Sequence, residues 1–311
     1  MPRRIHLIVI DPQRSFCEEV IDPTNPANSF AYQQLVHNGE LCVPGAWADM
    51  NVKLPNLIDR LGRKLDDVSV TMDSHQRLHI AHGRWYRNRQ GQSPAPFTLM
   101  REESGRIINY SIDAQNVVHD LGEYTTFVPN ALPWTLHYLK ELVARKRYLH
   151  CIWPEHCLIG TTGHNIVPAL MEAFLNWGNL VNQTTNFITK GSNPCVEHFS
   201  AVQAEVPFDG DKDMGLKSDP STQINADFIT AVMEADEILL SGEAGSHCLA
   251  NTVFDMADFF GTGVNDFTQK LVLLTDATSA VPGFEGLQAA FVSKMQARGM
   301  KLTTTVDYLA V

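Results

Sequence analysis

Short runs of consecutive apolar residues alternate along this chain with longer stretches in which apolar positions recur every three or four residues. The first pattern suits buried strands and the second amphipathic helices. Ile5–Ile10, Val68–Met72, Tyr148–Trp153, Thr184–Thr189, Ile238–Leu240 and Leu271–Leu274 read as six strands, with Leu302–Val311 as a further edge strand. Between them, Leu54, Leu57, Ile58, Leu61 and Leu65 mark one helix face. Leu136, Leu139, Leu142 and Val143 mark the face of a helix over Leu132–Lys146, and Ile166, Leu170, Phe174 and Trp177 that of one over Gly163–Trp177. Helices are also expected over Ile224–Ala235, from Cys248 with Val253, Met256, Ala257 and Phe260 inward, and over Phe284–Gln296. This alternation predicts an α/β fold: a doubly wound, mainly parallel six-stranded sheet with helices on both faces.

Three stretches break the alternation. Residues 17–50 carry Pro23, Pro26, Gly39, Pro44 and Gly45 without periodicity and read as a long ordered loop. Residues 84–130 are irregular, and their Arg84, Arg87 and Arg89 read as a solvated basic cluster. Residues 205–222 are polar and acidic, but Asp-Gly-Asp-Lys-Asp at 209–213 lacks the order of a calcium-binding loop. With no repeat and no clear boundary, the expectation is one domain over residues 1–311 carrying these three insertions.

Composition narrows the partners. The chain is 44% hydrophobic and 19% charged, with a formal charge of −11 and a pI near 5.5. No Lys/Arg-rich run offsets that acidity, which argues against nucleic acid or an anionic membrane as the main partner. The apolar start at Ile5–Ile10 is too short for a signal core, and no stretch approaches the ~20 apolar residues of a membrane span. Six cysteines lie scattered without a C-x-x-C pair, which fits a reducing compartment and a cytoplasmic location.

The chemistry gathers where strands end. Asp11 follows the first strand, and Asp73 with His75 follows the second; in extended backbone that spacing puts both side chains on one side, as metal ligands require. His79 reads as a polar loop residue. His156 falls just beyond the third strand, close to Trp153, which can stack on an aromatic ligand, while its neighbour Cys157 reads as a buried spectator thiol. Lys190 follows the fourth strand. Cys248 lies on the turn between Ile238–Leu240 and a helix, where the unpaired N–H groups of the helix start favour a thiolate and hold an oxyanion. Taken alone, Cys248 reads as a small buried hydrophobe. Five such groups at the ends of parallel strands would converge on one crevice.

The motifs Asp11-Pro-Gln-Arg-Ser-Phe16, Asp73-Ser-His75-Gln-Arg-Leu-His79-Ile-Ala81, Trp153-Pro-Glu-His156-Cys157, Lys190-Gly191, Gly242-Glu-Ala-Gly-Ser-His-Cys248 and Asp276-Ala-Thr run through the core of the chain. In this order they resemble the isochorismatase-like cysteine hydrolases, and within them the metal-bearing nicotinamidase branch. The resemblance implies Asp11 as general base, Lys190 as electrostatic partner and Cys248 as nucleophile. It implies Asp73, His75 and His156 as ligands of a divalent metal, Zn2+ first, with Mn2+ or Fe2+ as alternatives. Phe16 and Trp153 match positions that sandwich a pyridine ring. Glu243-Ala244 matches a cis peptide, which would aim the N–H groups of Ala244 and Cys248 at an oxyanion.

The implied activity is hydrolysis of nicotinamide to nicotinate and ammonia through a Cys248 thioester, a step of pyridine nucleotide salvage in NAD metabolism. A same-family amidase for a larger or non-pyridine amide and a catalytically silent metal-binding scaffold are the alternatives. A homo-oligomer acting on a small-molecule amide is expected. The sequence departs from the resemblance at Ser74, where a Trp is common, and at Gly245-Ser246, where Thr-Asp is usual.

Overall fold

The computed structural model describes residues 3–17, 39–112, 117–261 and 267–310. Most of the loop expected over 17–50, residues 18–38, lies outside the described residues.

Six strands form one parallel sheet in the order Lys301–Thr303, Leu271–Leu274, Glu237–Gly242, Ile5–Ile10, Asp67–Asp73, Asn186–Lys190. Ile5–Ile10 is central and wholly buried, which is why it reads as an apolar run interrupted only by His6 rather than as an alternating one. Its side chains divide between two cores. Leu7 and Val9 pack with Leu57, Ile58, Leu170 and Phe174 of the helices Leu54–Leu61 and Pro168–Val181. Ile8 and Ile10 pack with Phe228, Leu249, Val253 and Phe291 of the helices Ala226–Met233, Cys248–Phe260 and Glu285–Ala297. Helices therefore cover both faces, as the alternation predicts.

Tyr148–Trp153 does not join this sheet. Only His150–Cys151 is strand, and it pairs antiparallel with Leu99–Glu103. The sixth place is taken by Lys301–Thr303 at the edge, which overlaps the start of the stretch read as an edge strand. An apolar run of this length shows that a segment is buried, not which sheet buries it.

The stretch 84–130 is likewise not irregular. It supplies four strands of a second, antiparallel sheet ordered Tyr86–Asn88, Val118–Thr126, Arg106–Ile112, Leu99–Glu103, His150–Cys151. Against it lies the helix Leu132–Ala144, whose Trp134, Tyr138 and Leu139 share a third core with Trp85, Ile107 and Phe208. The acidic stretch near 210 forms one short antiparallel pair, Gly210–Asp211 with Leu216–Lys217. Among the described residues no helix is long and apolar enough to cross a membrane.

Candidate active site

Asp11, Asp73, Lys190 and Gly242 lie at the same edge of the parallel sheet. Asp73 is in register with Lys190 and Ile10 with Gly242. Gly242 has φ of 118°, and a Cβ there would meet the Ile10 backbone at 2.1 Å, so only glycine lets the chain leave the strand here.

The turn that follows delivers Cys248 to the first position of its helix. Lys190 Nζ lies 2.7 Å from Asp11 Oδ2 and 3.3 Å from Asp73 Oδ1. It also reaches Cys248 Sγ at 3.5 Å. Thr71 Oγ1 donates to Asp11 Oδ1 at 2.6 Å and accepts from the Asp11 amide at 2.9 Å, fixing the carboxylate in the fully buried site.

Burial raises the Asp11 carboxyl by more than Lys190 lowers it. Burial works against the Lys190 ammonium, but Asp11, Asp73 and Cys248 outweigh it and hold it well above its ordinary value. Burial, with Asp11 and Asp73, also lifts the Cys248 thiol well above its usual value against the pull of Lys190. Cys248 is therefore favoured as a thiol over the thiolate that the turn alone leads one to expect.

The peptide between Glu243 and Ala244 is cis. The Glu243 amide donates to Ile10 O and the Gly245 amide to Ser279 O, while those of His247 and Leu249 both turn to Ala244 O. Among the described residues the amides of Ala244 and Cys248 have no such backbone acceptor.

Asp73, His75 and His156 bring one donor atom each within 4.8 Å of one another. His75 Nε2 is 2.9 Å from Asp73 Oδ2, and His156 Nε2 is 3.3 Å from the same oxygen. Donors about 2.1 Å from one ion stand roughly 3.0 to 3.4 Å apart at right or tetrahedral angles. Each Nδ1 faces a backbone carbonyl, Gly191 O at 3.1 Å for His75 and Pro154 O at 2.8 Å for His156. That arrangement leaves the Nε2 lone pairs for a metal. Gly191 permits this closeness, since a Cβ there would meet Asp73 Oδ1 at 2.8 Å. The His75 Nε2 atom is buried without a hydrogen-bond partner among the described residues. These residues fit a divalent metal.

His156 arrives by a different route from the one expected. The segment around Trp153–Leu158 runs beside 75–82, tied by the Trp153 amide to Ala81 O and the His75 amide to Cys157 O, both near 3 Å. A loop beyond the second sheet, not a strand of the first, delivers this ligand.

His79 lies in a loop, as expected, but inside the protein. It is fully buried, its ring 4.4 Å from that of His75. With His75 and Glu197 it makes a second set of donors, but its Nδ1 accepts the Ala81 N–H, which leaves the proton on Nε2 and favours the first set. His82 and Glu197 were not singled out from the sequence. His82 turns Nδ1 to Arg77 O, and both His82 Nε2 and Glu197 Oε2 are buried without partners among the described residues. His82 had a legible signal, a third histidine in Asp73–His82; Glu197, seven residues after Lys190, had none. Cys157 is the buried spectator expected, its thiol raised by burial.

Phe16 and Trp153 line a cavity with Leu41, Phe199, His247 and Val281, and Asp73, His156, Glu197, Ala244 and Cys248 complete its walls. Its free volume is about 20 Å3, room for one water molecule. Phe199 and His247 are the aromatic wall members that sequence reading missed.

No family model matches this chain, and no curated protein does. Solved structures do. It is similar to the yeast nicotinamidase Pnc1p bound to the inhibitor nicotinaldehyde, with a TM-score of 0.55 and 15% identity over 96% of this chain and 99% of that one. It is also similar to a nicotinamidase/pyrazinamidase of Acinetobacter baumanii, with a TM-score of 0.54 and 18% identity over 99% of both chains. At such identities the likeness speaks for the scaffold: the chain has the α/β fold found in these solved nicotinamidases.

Proposed function

We propose that this chain is a cysteine amidase of the nicotinamidase type, hydrolysing a small aromatic carboxamide, with nicotinamide as its representative, to the acid and ammonia. The observation that carries this reading is the buried contact set of Lys190 with Asp11 and Cys248, beside three residues fit for a divalent metal. The fold shared with solved nicotinamidases supports it.

Asp11 takes the proton of the Cys248 thiol as the sulfur bonds to the carboxamide carbon. The negative charge that develops on the carbonyl oxygen is met by the amides of Ala244 and Cys248, donors held in place before the reaction begins. Asp11 then passes its proton to the nitrogen as the C–N bond breaks, ammonia leaves, and a thioester on Cys248 remains. In the second half Asp11 takes a proton from water as the water oxygen attacks the thioester. The C–S bond breaks, the acid departs, and the proton returns to sulfur. Lys190 keeps its charge throughout and steadies the Asp11 carboxylate. Phe16 and Trp153 flank the ring. A divalent ion held by Asp73, His75 and His156, with Zn2+ the leading candidate, supplies Lewis-acid polarisation to a polar group bound beside it.

The test is ammonia release from nicotinamide by the metal-loaded protein. Cys248→Ala is expected to lower kcat at least a thousandfold while the protein still binds metal. Normal turnover by that variant would overturn the reading.

A further inference from the structure

The cavity at Cys248 holds about 20 Å3, far below the ~300 Å3 at which small-molecule pockets begin. A wall must move before any aromatic amide enters. His247 is the wall with space behind it. It lines the Cys248 cavity and also a groove of about 690 Å3 bounded by Leu99, Tyr148, Leu149, Phe284 and Leu287. Its ring stands between the two sets of aromatics. On the cavity side are Trp153 and Phe199, with centroids 5.1 and 5.5 Å away. On the groove side are Tyr148 and Phe284, each 4.9 Å away.

The groove is apolar where it approaches His247. The charge at its rim, Arg147, is committed to Asp255 through two hydrogen bonds of 2.8 and 2.9 Å and to Glu205 at 3.3 Å. The Tyr148 hydroxyl is spent on Ser246 O. Ser246 Oγ accepts the Val281 N–H at 3.1 Å and lies 2.9 Å from His247 Nδ1, so the other ring nitrogen, Nε2, is the one left for a ligand.

We propose that this groove is an outer substrate subsite separated from the Cys248 cavity by the movable His247 ring, and that the chain's preferred substrates are aromatic carboxamides bearing a second, flat apolar group. The inference rests on the amidase reading for its chemistry but not for its binding. The amide end sits at Cys248, the second group lies along Leu149, Phe284 and Leu287, and the His247 ring lies at the junction. Burial of one further ring is worth roughly tenfold to hundredfold in affinity.

The test compares nicotinamide with 5-phenylpyridine-3-carboxamide on the metal-loaded protein. Ammonia release gives kcat/KM, and quenching of tryptophan fluorescence in Cys248→Ser gives Kd without turnover. The phenyl compound is expected to have at least tenfold the kcat/KM and at most a tenth of the Kd of nicotinamide. Leu287→Lys, at the partly exposed groove edge, is expected to cut both preferences at least tenfold. Leu149→Lys is a second variant with the same expectation, on a different element. If the phenyl compound binds with that preference and neither amide releases ammonia, the subsite stands and the amidase reading falls. If ammonia is released from nicotinamide but the phenyl compound binds no tighter, the subsite falls and the amidase reading stands.

Discussion

At the scale of single residues, the site turns on three groups whose burial forces them to share protons. Asp11 is wholly enclosed, and burial raises its carboxyl in spite of Lys190. As the base, Asp11 must be ionised, so activity is lost as pH falls through its raised pKa. The acid limb of kcat/KM is expected above the usual aspartate range, and Asp11→Asn should remove it while lowering kcat at least a hundredfold. Lys190 is the nearest cation opposing that rise, at 2.7 Å. Lys190→Gln should therefore move the acid limb to still higher pH as it lowers kcat; a pH–rate profile in which the limb stays put would exclude the assigned pairing. Much of this site was legible because a carboxylate, a lysine or a cysteine beside a strand end is a local pattern. His79 does lie in a loop, but its full burial against the rings of His75 and His82 is not shown by its spacing in the chain.

At the scale of elements, the helix that begins at Cys248 is held to the rest of the chain through Asp255, where Arg147 binds it with both arms of its guanidinium. Beneath that pair lies Glu205, 1% exposed, with neither oxygen hydrogen-bonded among the described residues. Burial pushes its carboxyl up from 4.5 to about 7, more than Arg147 brings it down. Because the folded pKa exceeds the unfolded one, the folded state binds the extra proton between those values, and stability falls as pH rises across that window. Above pH 7 the whole cost is in force, on the order of 3 kcal/mol for a shift of this size. Glu205→Gln is expected to match the parent near pH 4.5 and to exceed it by about 1 to 3 kcal/mol at pH 8 in urea denaturation. Equal stabilities at pH 8 would show that Arg147 compensates the charge in full. Element identity was read well where the period was long and regular, as in Leu54–Leu61. It was read poorly for the second sheet, whose strand Val118–Thr126 is exposed along most of its length and carries too little apolar alternation to show as a strand.

At the scale of the whole molecule, the two sheets meet through the segment that carries His75, His79 and His82. Ile80 and Trp85 belong to the core of the second sheet, while Asp73 and His75, a few residues earlier, stand at the edge of the first. The joint is pinned by hydrogen bonds from the Ile80 amide to Pro194 O at 2.8 Å, from Trp85 Nε1 to Thr135 Oγ1 at 2.9 Å and from Trp134 Nε1 to Cys195 O at 2.8 Å. Both chains that flank the metal ligands, 74–85 and 191–196, are thus held by the second sheet and its helix. Loss of a large buried aromatic costs about 3 to 5 kcal/mol wherever it occurs, so stability alone does not report this coupling. Trp85→Ala and Phe291→Ala each remove an aromatic ring that is 1% exposed, from two different cores. Both are expected to lose stability by similar amounts in urea denaturation. Only Trp85→Ala should weaken binding of Co2+, at least tenfold in a competition titration under conditions where both variants are folded. Equal Co2+ affinities in the two would mean that the first sheet positions the ligands unaided and that the second sheet serves the groove beside His247 alone.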